Sequence, residues 1–342
     1  MSRSNAFHPV CLWIKRFSLF VALSTATYVS ADDRPLGVSP VSINDQYDHG
    51  APYQGIRLHG ALKLSQARLN GQILSELSGL AWDDDEQVLY AISDEASVFH
   101  LRPKIVNGRL ADVELVAAYP LTDFKGRSLR QPDIDSEGLV LKRSNNGVPG
   151  DTELVISFEA RPRIQGFTPQ GRVFREYPLP GRLNNINVYA ARNKALESVV
   201  VHPVYGLLTA PEIPLDGTPE AVHTIYALSG LSWRFPRDEK NRLALVDLEV
   251  LPDGALLVLL RRYSLLFTHW LIDLKRVELL PGGLTRSTPV ARFESGTAWR
   301  LDNFEGLAHH RDNFYFMVSD DNGGLLQDTF LVYFEVLDPP GR

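Results

Sequence analysis

Acidic residues recur at the edges of short apolar runs along this chain, and their type limits the chemistry available to them. Glu137, Glu197, Asp247 and Glu305 each lead such a run, with Ser78 in the matching place of the first unit. Asp94 and Glu95, Glu159, Glu212, and Asp320 and Asp321 close the following runs, where the fourth unit instead carries Arg261 and Arg262. Carboxylates crowded together raise one another's pKa, so they call for a cation, an arginine or shared protons. A donor set made only of oxygens, with no thiol and no paired-histidine motif, suits Ca2+ or Mg2+ rather than zinc. Such a site can activate water and hold a phosphoryl oxygen, with arginine completing the anion site.

The elements that would position these acids form a repeat. Each unit has a small or acidic residue, an apolar strand, a turn, and a second apolar strand ending in polar residues. Ser78–Trp82 with Val88–Ile92 is the first, and Glu305–Ala308 with Phe314–Val318 is the fifth. The leading positions are 59, 60, 50 and 58 residues apart. Each interval holds two further strand-like runs, so four antiparallel strands per unit predict a β-propeller blade. The expected fold is all-β, a propeller of five four-stranded blades, with room for a degenerate sixth. Runs such as Val199-Val200-Val201 are apolar on both faces, as blades sandwiched between neighbours require. The fifth unit lacks an outer strand, and Ile56–Leu64 is placed to supply it and close the ring. Strands of a hairpin run antiparallel, so the start of the first and the end of the second share one edge. That register gathers the leading and closing acids around one channel mouth, within reach of Arg161 and Arg163.

The remaining sequence frames this domain. Arg3, Lys15 and Arg16 flank an apolar run from Phe17 to Tyr28 that ends in Val29-Ser30-Ala31, the order of a secretory signal peptide, with cleavage expected after Ala31. The expected organisation is a signal peptide over 1–31, a flexible arm over 32–53 and the propeller over 54–338. Localisation is then periplasmic or secreted. Cys11, the single cysteine, falls in the leader, so the mature chain relies on its core rather than on disulfides. Removing three of 35 basic residues leaves 32 against 41 acids, a charge of about −9. That excess disfavours nucleic acid and anionic membrane surfaces as partners, and no later run has the length of a membrane span. A monomer acting on a small molecule is expected.

Other motifs are absent. No Gly-x-Ser-x-Gly elbow, Walker loop, His-Glu-x-x-His or dinucleotide glycine fingerprint occurs. The acidic turn Asp83–Glu86 lacks the spacing of a calcium loop. His309 and His310 read as packing or surface residues, and Trp82, Trp233, Trp270 and Trp299 as blade packing.

Four motifs carry a family resemblance: Leu77-Ser78-Gly79-Leu80, Tyr90-Ala91-Ile92-Ser93-Asp94, Asp135-Ser136-Glu137-Gly138-Leu139 and Asn303-Phe304-Glu305-Gly306-Leu307-Ala308. Together they resemble the phytase-like family, "esterase-like activity of phytase", over roughly residues 73 to 336. The resemblance implies a secreted bacterial protein and a phosphoesterase role resting on Glu137, Glu159, Glu197, Glu212, Glu305 and Asp320. Ser78 and the Arg261-Arg262 pair depart from a symmetric acid ring. The Arg-His-Gly signature of histidine-type phytases is missing. On this reading Glu137, Glu197, Glu212 and Glu305 hold Ca2+ or Mg2+. Glu137 also takes part in catalysis, with Glu159 or Asp320 as general base, and Arg261 or Arg262 binds the phosphate. Two alternatives stay open: a non-catalytic periplasmic propeller that binds a ligand or partner, and a lactonase-like calcium hydrolase.

Overall fold

The computed structural model describes residues 32–48, 50–191, 193–264, 269–324 and 327–338, with backbone alone for Tyr263 and Ser264. The expected leader, 1–31, lies outside the described residues. The chain starts with β1 (Val38–Pro40), β2 (Pro52–Tyr53), β3 (Ile56–Leu64) and a small hairpin, β4 (Ala67–Leu69) and β5 (Gln72–Leu74). Blade 1 follows as β6 (Leu77–Asp83), β7 (Val88–Ser93), β8 (Ser97–Val106) and β9 (Arg109–Pro120). Blade 2 is β10 (Ser136–Lys142), β11 (Glu153–Phe158), β12 (Arg163–Phe167) and β13 (Val173–Tyr177). Blade 3 is β14 (Leu196–His202), β15 (Gly206–Pro211), β16 (Val222–Ala227) and β17 (Ser232–Pro236). Blade 4 is β18 (Ala244–Val250), β19 (Leu256–Ser264), β20 (His269–Leu279) and β21 (Thr285–Glu294). Blade 5 begins with β22 (Asn303–Arg311), β23 (Phe314–Asp320) and β24 (Thr329–Val336).

The fourth strand of blade 5 is β3, which pairs antiparallel with β24 from Ile56 opposite Val336 to Leu64 opposite Thr329. A strand that precedes blade 1 in sequence thus closes the ring, as the missing outer strand predicted. The blades number five, with no sixth among the described residues. The first strands, β6, β10, β14, β18 and β22, follow one another around the channel.

Burial explains why these runs become blades. Successive side chains on a strand face opposite ways. Leu257 and Leu259 of β19 pack toward blade 5, with Ile56, Phe304 and Phe334. Val258 and Leu260 pack toward blade 3, with Val200, Leu208 and Ile225. Similar cores join blades 5 and 1, 1 and 2, and 2 and 3. Each large side chain buried there contributes about 1.5–3 kcal/mol. Stability is therefore distributed around the ring, and no cysteine occurs among the described residues.

Each first strand also has a register shift near its start. The shift falls at Leu77/Gly79, Ser136/Leu139, Leu196/Ser198, Leu245/Asp247 and Phe304/Gly306. The bulged residues are Ser78, Glu137 (with Gly138), Glu197, Val246 and Glu305. Here the expected ring needs a correction, because Asp247 does not match the leading acids. Val246 does, and Asp247 matches Gly79, Gly138, Ser198 and Gly306. One residue of slip turns a side chain to the other face. Asp247 accordingly points between blades, accepting from Leu307 N at 2.6 Å and Leu248 N at 2.8 Å. In three of the other blades glycine fills that place because neighbouring first strands approach closely. A Cβ on Gly138 would lie 2.5 Å from Val199 N, and one on Gly79 would lie 2.6 Å from Glu137 O.

The described residues of 32–53, expected as a flexible arm, lie along blade 5. β1 pairs with β3 through Leu62–Leu64, Ile43 is buried in the core, and Tyr53 Oη donates to Arg292 O at 2.7 Å. The polar composition that suggested an arm reflects a strand and loop with one covered face. Among the described residues no helix is long and apolar enough to cross a membrane.

Candidate functional site

The first-strand bulges and the ends of the second strands meet at a cavity of about 760 Å³. Its wall includes Asp94, Asp135, Glu137, Glu159, Glu197, Glu305 and Asp320, together with Arg261. Backbone bonds within and between blades set the positions of these acids. Asp135 N donates to Asp94 O at 2.8 Å, and Glu159 N donates to Asp135 O at 3.0 Å. Leu245 N donates to Glu212 O at 2.9 Å. Asp135 takes a φ of 78°, a left-handed conformation that an aspartate adopts more readily than most residues.

The two sides of the mouth differ. Toward blades 4 and 5 the carboxylates are already compensated. Arg261 Nη2 lies 2.7 Å from Glu305 Oε1, and Asn303 Nδ2 donates to Glu305 at 2.7 Å and to Asp320 at 2.9 Å. Asn322 N donates to Asp320 Oδ1 at 2.7 Å. Toward blades 1 to 3 compensation is sparse. Glu137 and Glu197 are each only 7% exposed, yet neither side chain accepts a hydrogen bond or joins an ion pair among the described residues. Asp94 Oδ1 is buried without a partner as well. Glu159 accepts one bond, from Ala195 N at 2.7 Å, and Glu212 pairs with Lys194.

Titration follows from this burial. Glu137 and Glu197 are held well above the usual carboxylate range, first by burial and then by the acids around them. Asp94 shares that fate through burial, Glu305 and Asp320. Burial and Glu212 push Glu159 up to about 8. Glu305 rises only to about 7, because Arg261 opposes the cost of burial. Burial by itself would lower Lys194 and Arg261, but the acids facing them leave both raised.

Three sets of carboxylates bring ligand atoms within 4.8 Å of one another: Asp94, Glu137 and Glu305; Asp135, Glu137 and Glu159; and Glu159, Glu197 and Glu212. All-oxygen sets, largely buried and with few counter-charges of their own, fit a hard divalent cation such as Ca2+. They do not fit a soft or imidazole-seeking metal.

Several candidates fall elsewhere. Asp321 accepts from Ser75 Oγ at 2.8 Å and Glu76 N at 2.9 Å, which ties blade 5 to the entry of blade 1. Glu95 is exposed. Arg161 pairs with Asp133 at 2.6 Å, and the Arg163 guanidinium lies 3.7 Å from the centre of the Phe158 ring. Arg262 follows Arg261 on the same strand, so it faces the other way and does not line the cavity. The Asp83–Glu86 turn clamps blade 1 to blade 2: Thr152 Oγ1 donates to Asp83 at 2.6 Å, and Asn146 N and Gly147 N donate to Asp85 at 2.9 Å. His310 packs against Trp82 and meets Tyr333 Oη at 2.8 Å.

Lys194, Arg300 and Asp302 also line the wall without having been singled out by sequence, and Asn303, Trp270 and Trp299 lie on it too. Arg300 is exposed, and its side chain pairs with no carboxylate among the described residues. Its loop is pinned by the N-terminal segment, since Tyr47 stacks on Trp299 at 5.8 Å and Arg300 N donates to Ile43 O at 2.8 Å. The Asn303 motif was in view, but its bridging role depends on strand register that no periodicity reveals.

Ring closure by β3 and the carboxylate-lined mouth define a five-bladed propeller with a candidate cation site at one end of its channel. The chain belongs to the phytase-like family described as "esterase-like activity of phytase", whose model matches residues 72–323. No curated protein matches the sequence. Similar solved structures include the PQQ-bound aldose sugar dehydrogenase of Streptomyces coelicolor, with 11% identity over 83% of this chain and 99% of that one, at a TM-score of 0.44. Another is the β-propeller domain of Myceliophteria thermophila Cps50 (Swd1), with 10% identity over 88% and 99%, at 0.41. Nothing about function follows from likenesses this distant.

Proposed function

We propose that the mouth is the active site of an exported, cation-dependent phosphoester hydrolase. The observation that carries this reading is the pair of buried, unpartnered carboxylates, Glu137 and Glu197, beside Asp94. Buried charge without a partner is costly, and a divalent cation removes that cost. Asp94 and Glu137 would hold it, with Glu305 at the border of the Arg261 side. A bound cation supplies charge neutralisation at phosphoryl oxygens and acidifies water. Glu159, displaced to about 8, is suited to proton transfer near neutrality. Arg300, exposed on the wall, is available to a substrate anion, whereas Arg261 is engaged by Glu305 and Asn303.

A second reading, a propeller that binds a ligand without turning it over, is favoured by that same engagement of Arg261. One experiment separates the two. The purified protein is assayed with phosphomonoesters, phosphodiesters and lactones, with chelator and after restoring Ca2+ or Mg2+. Phosphoester turnover that chelator abolishes and cation restores supports the hydrolase. Cation binding with no turnover on any of them leaves the binding module. Turnover confined to lactones identifies a lactonase-like calcium hydrolase.

A further inference from the structure

We infer that the mouth holds a second cation position, formed by Glu159, Glu197 and Glu212, where the Lys194 ammonium stands in for the ion. The inference rests on reading the mouth as a cation site, and adds to it a lysine that competes with the ion.

These three acids offer oxygens within 4.8 Å of one another, and all three are buried. Lys194 Nζ pairs with Glu212 Oε2. One ammonium balances one of three carboxylates, and Glu197 has no donor of its own. A divalent ion would bring twice the charge and bind all three oxygen ligands directly, which an ammonium on one carboxylate does not. Lys194 can give way cheaply. It sits in the connection before β14, and its side chain is 36% exposed, so moving it into solvent unpacks no core. Glu159 belongs both to this set and to the set with Asp135 and Glu137. Filling the second position therefore engages the group proposed for proton transfer.

The test is a calcium titration by calorimetry, at near-neutral pH in cation-stripped buffer, on the purified protein and its Lys194→Met and Lys194→Gln variants. Both variants should gain an additional bound Ca2+ per chain, or bind the weaker one about tenfold tighter or better, since a competing charge is gone. Adding Glu212→Gln to Lys194→Met should remove that gain and leave the first binding event in place. Identical isotherms for wild type and both lysine variants would overturn the inference, as would a gain that survives Glu212→Gln. Phosphoester turnover is read separately. A gain in binding by an inactive protein counts against the hydrolase alone, while turnover without any gain counts against the second position alone.

Discussion

Arg261 Nη2 of blade 4 lies 2.7 Å from Glu305 Oε1 of blade 5, so one side of the channel mouth carries its own counter-charge. Val246, in the same blade, brings no charge to the ring position that Glu137 and Glu197 occupy in theirs. The asymmetry leaves blades 1 to 3 with the uncompensated acids, and it determines where a cation belongs.

Arg261→Met removes the counter-charge and leaves Glu305, Asp320 and Asn303 facing one another. Breaking a buried pair in this way should cost about 3 kcal/mol. Urea unfolding in chelator measures it, and Ca2+ should recover part of the loss. Unchanged stability would mean that the pair is not holding blades 4 and 5 together.

The raised carboxylates also fix the sign of a pH dependence. Glu159 and Glu305 titrate at about 8 and about 7 when folded, above their unfolded values, so the folded chain binds more protons than the unfolded one. The stability they contribute is complete at acid pH, below the unfolded carboxylate range, and is lost as pH rises through 7 to 8. In chelator, the melting temperature should fall from the unfolded carboxylate range up to about pH 8, the unfolding free energy declining by up to about 1.4 kcal/mol per pH unit for each group. Saturating Ca2+ should flatten or reverse the slope. A melting temperature in chelator that rises between pH 6 and 8 would contradict the assigned shifts.

Asp247 and Glu159 separate support from chemistry. Asp247→Ala leaves Leu307 N without its partner and should cost about 1–3 kcal/mol. Turnover per folded molecule should stay at the wild-type level. Glu159→Gln should keep the fold and lower kcat by about a hundredfold or more. Equal loss of turnover in both variants would erase the distinction between them.

Gly138→Ala tests the close approach of neighbouring first strands. The new Cβ would meet backbone atoms of Ser198 and Val199 at 2.5–2.7 Å, whereas on Gly306 the nearest atom is Val318 Cγ1 at 3.0 Å. Overpacking of this kind costs about 1–3 kcal/mol, with Gly138→Ala expected at the upper end and Gly306→Ala below it. Denaturant midpoints of the two variants give the order.

Much of the fold was legible from sequence because it rests on features that repeat. Turns between apolar pairs set the blades, and Ile56–Leu64 was visibly a strand without a local partner. The acids Glu137, Glu159, Glu197 and Glu305 were legible because each sits at a fixed place in its hairpin. Asp247 was misplaced by a single residue, because a β-bulge shifts register without marking the sequence. Lys194 and Arg300 were invisible for another reason. They reach the mouth on connections between blades, and the path of those connections depends on tertiary contacts such as Tyr47 on Trp299.

The most direct test concerns Glu137, buried and without a partner at the centre of the uncompensated side. Thermal melts of wild type and Glu137→Gln, each in chelator and in excess Ca2+ at near-neutral pH, compare the charge with its neutral isostere. Wild type should gain melting temperature with Ca2+. Glu137→Gln should melt above wild type in chelator, because the cost of burying or protonating the carboxylate has been removed, and should lose most of the response to Ca2+. A variant that melts below wild type in chelator and keeps the full Ca2+ response would show that Glu137 is a structural acid and not a cation ligand.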